Sequence, residues 1–169
     1  MPTQKYFGKY RAVVMNATDP LRLGRIQAEV PDVPTQPLNW AMPCVPVAGP
    51  QMGLYVLPPV GANVWIEFEA GDLDRPIWVG AFWPLPDQVP AAALTAVPPS
   101  AIVVLQTSLG NALTISDQPG PGGGIVLKSA TGASIAVGDT GIFIANAKGA
   151  SISLVGPSVS VNNGALEII

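Results

Sequence analysis

Gly124-Ile125-Val126-Leu127-Lys128-Ser129-Ala130-Thr131-Gly132-Ala133-Ser134-Ile135-Ala136-Val137-Gly138-Asp139-Thr140-Gly141-Ile142-Phe143-Ile144 holds three runs in which every second residue is aliphatic and the runs are divided by glycine turns. An extended chain sends alternate side chains to opposite faces, so each run reads as a strand with one apolar face. The pattern continues in both directions, to Leu113 and Ile115 upstream and to Ile152 and Leu154, Val159 and Val161, and Leu166 and Ile168 downstream. The residues between are Thr114, Val126, Ala136, Phe143, Ser153, Ser160 and Glu167, which leaves the other face mostly neutral and compact. Turns recur at Gly110-Asn111, Gly132-Ala133, Gly149-Ala150 and Gly164-Ala165, a quasi-repeat of β-meander units without a strict solenoid period.

Seven such strands offer about two large apolar residues each, worth roughly 1.5 to 3 kcal/mol apiece on full burial. No helical segment accompanies them to cover the row. A single copy leaves that face wet, whereas copies around a rotation axis bury each other's aliphatic rows and protect each other's edges. The predicted shared core is Leu113, Ile115, Ile125, Leu127, Ile135, Val137, Ile142, Ile144, Ile152, Leu154, Val159 and Val161. Three sheets facing inward would make a triangular prism, although these residues alone leave the number of copies open.

Upstream the composition changes. Residues 1–90 hold fourteen of the nineteen charged side chains, all four Trp and all three Tyr. The 18 Gly and 19 Pro of the 169 residues would suit a disordered chain, but 49% of residues are hydrophobic and only 11% charged, so the chain folds. Residues 84–100, rich in proline, read as an extended linker between an N-terminal domain at 1–83 and a C-terminal domain at 101–169. In the N-terminal part, β-branched and aromatic segments at Tyr10 to Met15, Arg25 to Val30, Leu38 to Pro43, Val60 to Phe68 and Pro76 to Phe82 are divided by turn residues and by prolines that break helices. Five strands in roughly 80 residues fit a small closed barrel, the OB-fold being the commonest. The expected fold is all-β: a five-stranded OB barrel, then a β-prism or β-helix-like rod.

Several chemistries are disfavoured at once. The chain has no histidine, which removes imidazole bases, Ser-His and Cys-His pairs and histidine metal sites. A net charge of -3 gives no basic footprint for nucleic acid. Cys44 is the single cysteine, the N-terminus lacks a signal-peptide core, and the most apolar stretch, Ala91 to Leu105, is broken by Pro98-Pro99 short of a bilayer span. Synthesis in a reducing cytoplasm is expected, with no cofactor, no metal and no catalytic residue.

Individual residues each allow a sharp and a plain reading. Glu67, Glu69, Asp72 and Asp74 could act as paired carboxylates, but the first two alternate along one strand face and the last two suit a turn. Arg25 and Arg75 stand near Asp19, Asp72 and Asp74 and are read as forks that pin barrel loops, with contact to a partner protein the other reading open to them and to Arg22. Trp40, Trp65, Trp78 and Trp83 could stack bases or sugars, and packing is preferred because few basic residues accompany them. Gly120-Pro121-Gly122-Gly123-Gly124 lacks the Lys-Ser/Thr of a phosphate loop and reads as a turn, Asp117 and Asp139 as turn caps, and Cys44 as a buried structural thiol.

Asp19-Pro20-Leu21-Arg22-Leu23-Gly24-Arg25, Val30-Pro31, Trp40-Ala41-Met42-Pro43, Leu57-Pro58-Pro59-Val60-Gly61 and Gly71-Asp72-Leu73-Asp74-Arg75-Pro76-Ile77-Trp78-Val79-Gly80 follow one another in an order that resembles the OB domain of phage baseplate assembly protein V and of VgrG-type spikes of contractile injection systems. The resemblance covers residues 6 to about 83, and residues 84–169 look like the β-prism of those spikes in pattern and composition. It implies a homotrimeric central spike, assembled into a phage tail or tail-like particle, that attaches to hub and tail-tube baseplate proteins and meets the target membrane only on puncture. The sequence departs from relatives in lacking the large hub-like region, the lysozyme domain and the His-X-His iron motif at the apex. By the same resemblance, Leu166, Ile168 and Ile169 would offer a blunt platform to a PAAR-type tip protein. The alternatives are a carbohydrate- or oligonucleotide-binding OB module on a β-rich stalk and a polysaccharide-degrading β-helix enzyme, for which the three acids of residues 91–169 furnish little.

Overall fold

The computed structural model describes residues 4–34 and 38–168 and divides into two compact units, Met1–Pro84 and Leu85–Ile169. The first carries β1 (Tyr10–Asn16), β2 (Gln27–Glu29), β3 (Met42–Pro43), β4 (Ala48–Gly49), β5 (Met52–Gly53), β6 (Asn63–Phe68) and β7 (Pro76–Ala81). Along β6, Val64, Ile66 and Phe68 are buried while Asn63, Trp65 and Glu67 face outward, the period of two that a barrel wall requires. Five of these strands form one sheet in the order β2-β1-β6-β7-β3, with β3 parallel to β7. A two-way backbone pair between Ile26 and Ala41, at 3.2 and 2.7 Å, joins the two ends of that sheet and closes the ring. The result is the strand order of the OB barrel. Its core is Ala12, Val14, Ile26, Ala28, Val30, Leu38, Ala41, Val64, Ile66 and Phe68, with Trp78 donating its indole N–H to the Gly24 carbonyl at 3.0 Å. The short hairpin of β4 and β5 rides on the long connection between β3 and β6.

The second unit is one eight-stranded antiparallel meander in chain order: β8 (Ile102–Gln106), β9 (Ala112–Ser116), β10 (Gly124–Lys128), β11 (Ser134–Gly138), β12 (Gly141–Ala145), β13 (Ser151–Val155), β14 (Ser158–Val161) and β15 (Leu166–Ile168). The strand at 102–106 adds to the seven that the alternation predicts. Ile102-Val103-Val104-Leu105 is uniformly aliphatic, so no period of two marks it. Within residues 84–100, 3-10 turns lie at Pro86–Gln88 and Ala91–Leu94, and the second unit begins at Leu85.

Hairpin loops at one end of this sheet share one chemistry. Thr107, Ser129 and Asn146 open three of them, and the side-chain oxygen of each accepts the backbone N–H of the residue four places on, Asn111, Ala133 and Ala150, at 3.2, 3.0 and 3.0 Å. The backbone N–H of the same opening residue donates to the carbonyl of the same closing residue. Gly132 and Gly149 supply the left-handed residue before the chain re-enters the sheet, at φ +94° and +99°. Loops are also tied to one another, since Asn111 Oδ1 accepts from Ala130 N and Asn162 Oδ1 from Ser151 N, both at 3.0 Å. Threonine, serine and asparagine thus cap these turns; Asp117 and Asp139 lie exposed in connections at the other end of the sheet.

Candidate functional site

In the barrel unit the polar side chains serve its own architecture. Asp19 is almost fully buried and accepts the Arg25 fork, with Nη2 at 2.6 Å and Nε at 3.1 and 3.2 Å from its two oxygens. The backbone N–H groups of Leu21, Leu23 and Arg25 add to the same carboxylate. The Arg25 guanidinium beside it, supported by those backbone donors and opposed by burial, holds the Asp19 carboxyl well below the usual carboxylate range, and the carboxylate in turn raises Arg25. Arg25 also covers the Trp40 ring at 5.5 Å. The loop 19–25 is therefore pinned through one ionised group, as the spacing of Asp19 and Arg25 suggests.

A group whose carboxyl titrates lower in the folded than in the unfolded chain stabilises the fold at pH values above the unfolded range near 4, and that stabilisation is lost as pH falls toward the lower folded value. Asp19→Asn is therefore expected to melt well below the parent at pH 7, by roughly 10 °C, and to show a shallower decline of melting temperature between pH 5 and pH 2. Circular dichroism melts across that range provide the check.

Other residues depart from expectation. Glu69 lies beyond β6 in a 3-10 turn and pairs with Arg75 at 3.2 Å, so Arg75 finds this carboxylate and not the turn acids Asp72 or Asp74. Glu67 pairs with Lys9 across the outer face, and Asp72 accepts from the backbone of Asp74. Of the four tryptophans only Trp78 is in the core: Trp65 stacks on Phe82 at 4.6 Å under Arg11, and Trp83 is exposed. Cys44 is exposed as well; its backbone N–H pairs with the Trp78 carbonyl while the alternation just past β3 turns its side chain outward. Among the described residues no group of His, Cys, Asp and Glu could hold a metal ion.

The scarcity of charge in the second unit has a geometric counterpart in its sheet. Cross-strand register sets Leu105, Leu113, Leu127, Ile135, Ile144, Ile152, Val161 and Leu166 side by side in one unbroken row. It sets Val103, Ile115, Ile125, Val137, Ile142, Leu154 and Val159 in a second row two residues away on the same face, with the backbone of Ile168 paired opposite Val159. All twelve residues predicted as a shared core occur in these rows. Nine of them keep 37% to 48% of their surface exposed in the single chain, too much for a finished core. The sheet curves around the first row, which lines a groove of about 870 Å³, and among the described residues Lys128 is the one charged residue at its lining. Val103 and Leu105 join the rows although the alternation does not reveal them. Leu166 is exposed, Ile168 lies in β15, and Ile169 lies outside the described residues. A continuous aliphatic face of this length can do one kind of chemistry, which is to exclude water against a matching apolar face.

No helix among the described residues is long and apolar enough to cross a membrane. No curated protein matches the chain. Two family models do, in succession: residues 10–83 match the type VI secretion system/phage-baseplate injector OB domain, and residues 102–167 match the phage baseplate V C-terminal trimerisation domain. The first match spans the barrel strands, the second spans the eight-stranded sheet from β8 into β15, and together they take in more than four-fifths of the chain. The aliphatic face thus falls in a domain whose family role is to trimerise, and the chain belongs to the phage baseplate V family of structural proteins of phage tails and related injection systems.

Proposed function

We propose that this chain is the central spike of a contractile tail or injection-system baseplate, a homotrimer that attaches to a hub through its OB units and helps puncture the target envelope with its sheet units. The observation that carries this reading is the pair of aliphatic rows, which no other described residue of the unit covers. Packing three copies with these rows toward a common axis would bury on the order of 1–2 kcal/mol per residue, repeated over every layer of the sheet. A rod closed in this way resists deformation because its strands and layers must part together. Most of its outward residues, such as Thr114, Ala136, Ser153 and Ser160, are short and uncharged, which suits passage through a membrane with little drag. The same family reading assigns a PAAR-type cap to the C-terminal end, around Leu166, Ile168 and Ile169.

Light scattering on the full-length protein is expected to give a native mass near three chains of 17.4 kDa, with only β-type circular dichroism and unusual resistance to SDS and heat. A clean full-length monomer would overturn the trimer.

A further inference from the structure

The eight-stranded sheet carries five charged residues, and four of them are sorted by sign to its two ends. Lys128 closes β10 beside the loop 129–133, and Lys148 lies in the loop 146–150, both at the end where the glycine loops gather. Asp117 follows β9, and Asp139 sits in the turn from β11 to β12, both at the opposite end. All four are exposed, and no ion pair among the described residues lies in this unit. They cannot meet within one chain, because a five-residue strand holds the two ends about 16 Å apart.

We propose that these residues form the seams between neighbouring copies in the trimer, Lys128 and Lys148 of one copy facing Asp117 and Asp139 of the next, and that they set how the copies align along the axis. The inference rests on the trimer proposed above. The aliphatic rows are about 35 Å long but only two residues wide, so three copies bury them fully only when the rows lie along the common axis. The strands then run across the axis, and each sheet's lysine end meets its neighbour's aspartate end, a head-to-tail contact that closes after three copies. The heights agree. Asp117 lies between β9 and β10 with Lys128 on β10, and Asp139 lies between β11 and β12 with Lys148 between β12 and β13. At about 4.8 Å per strand the lysines stand roughly 2.4 and 4.8 Å farther along the sheet than the aspartates, so one small tilt of the strands off the perpendicular to the axis, the same in every copy, brings both pairs together while the ring still closes. A slip by two strands would keep at most one lysine beside an aspartate and leave the other without an acid opposite it. Exposed pairs of this kind contribute more to alignment than to affinity.

Zero-length carbodiimide coupling of the native protein tests the seam, since it joins a lysine to a carboxylate only at contact. Covalent trimers on a denaturing gel, with cross-linked peptides joining Lys128 to Asp117 and Lys148 to Asp139, are the expected result. Asp139→Lys and Lys148→Asp, each of which sets like charges together in three seams, should each speed subunit dissociation about tenfold or more, and the two combined should restore it. A native mass of three chains without those cross-links, or with no restoration by the combined exchange, overturns the seam while leaving the trimer standing. A native mass of one chain overturns the trimer itself, and the seam with it.

Discussion

Leu127→Asp is expected to lower the native mass from near three chains to near one, and to abolish resistance to SDS. Leu127 sits mid-row between Leu113 and Ile135, with 48% of its surface exposed in the single chain. In the trimer, three copies of the substituted carboxylate would be drawn toward one apolar axis, each carrying a desolvation cost of several kcal/mol with no partner cation. The aliphatic contacts of that layer contribute less than this, and the three like charges add repulsion. Val126→Asp supplies the contrast: Val126 is the neighbouring residue on the other face, opposite Thr114 and Ala136, where the proposed assembly meets solvent. It should remain trimeric. Ile152→Asp, in the same row as Leu127, should behave like Leu127→Asp. A trimeric Leu127→Asp protein, or equal dissociation of Leu127→Asp and Val126→Asp, would show that the row does not face the shared axis.

The rows could be read from the residues because a period of two survives any arrangement of neighbouring strands. Alternation at Ile125 and Leu127, or at Ile152 and Leu154, assigns a face before any pairing is known. What alternation does not carry is strand order, so the alignment of eight aliphatics into a continuous stripe appears only with the register of the meander. It also fails where a strand is apolar throughout, which hides Val103 and Leu105. In the barrel, the Asp19–Arg25 fork was legible because its partners share one tight loop of seven residues. Arg75 was not, because its nearest acids in sequence, Asp72 and Asp74, spend their geometry on the turn while Glu69 curls back from the end of β6. Cys44 shows the same limit from the other side: neighbouring prolines and valines suggest burial, but the side chain's face is set by a parallel pairing with a strand more than thirty residues away. The charge sorting of the sheet likewise needed its topology, since only the direction of each strand tells which end a turn occupies.

Gly141→Ala should damage the sheet far more than Gly149→Ala, although both glycines follow the same kind of turn in the sequence. Each has a positive φ, +143° at Gly141 and +99° at Gly149, so each substitution carries a left-handed strain of about 1–2 kcal/mol. The surroundings then separate them. A Cβ at Gly149 would meet nothing within 4 Å, because the loop 146–150 projects past the strand ends. A Cβ at Gly141 would lie 2.2 Å from the Leu154 carbonyl oxygen and 3.2 Å from Val155 Cγ2, so β12 and β13 would have to part there. Parting forfeits ladder hydrogen bonds worth about 1 kcal/mol each and disturbs Ile142 and Leu154, which stand opposite each other in the second aliphatic row. The expected cost is therefore about 1 kcal/mol for Gly149→Ala and roughly 3 kcal/mol or more for Gly141→Ala per chain, felt three times in a trimer. Thermal melts of the two variants, with native mass measured alongside, provide the comparison. Equal shifts would mean that β13 does not pass so close to Gly141, and that the glycine serves only the turn.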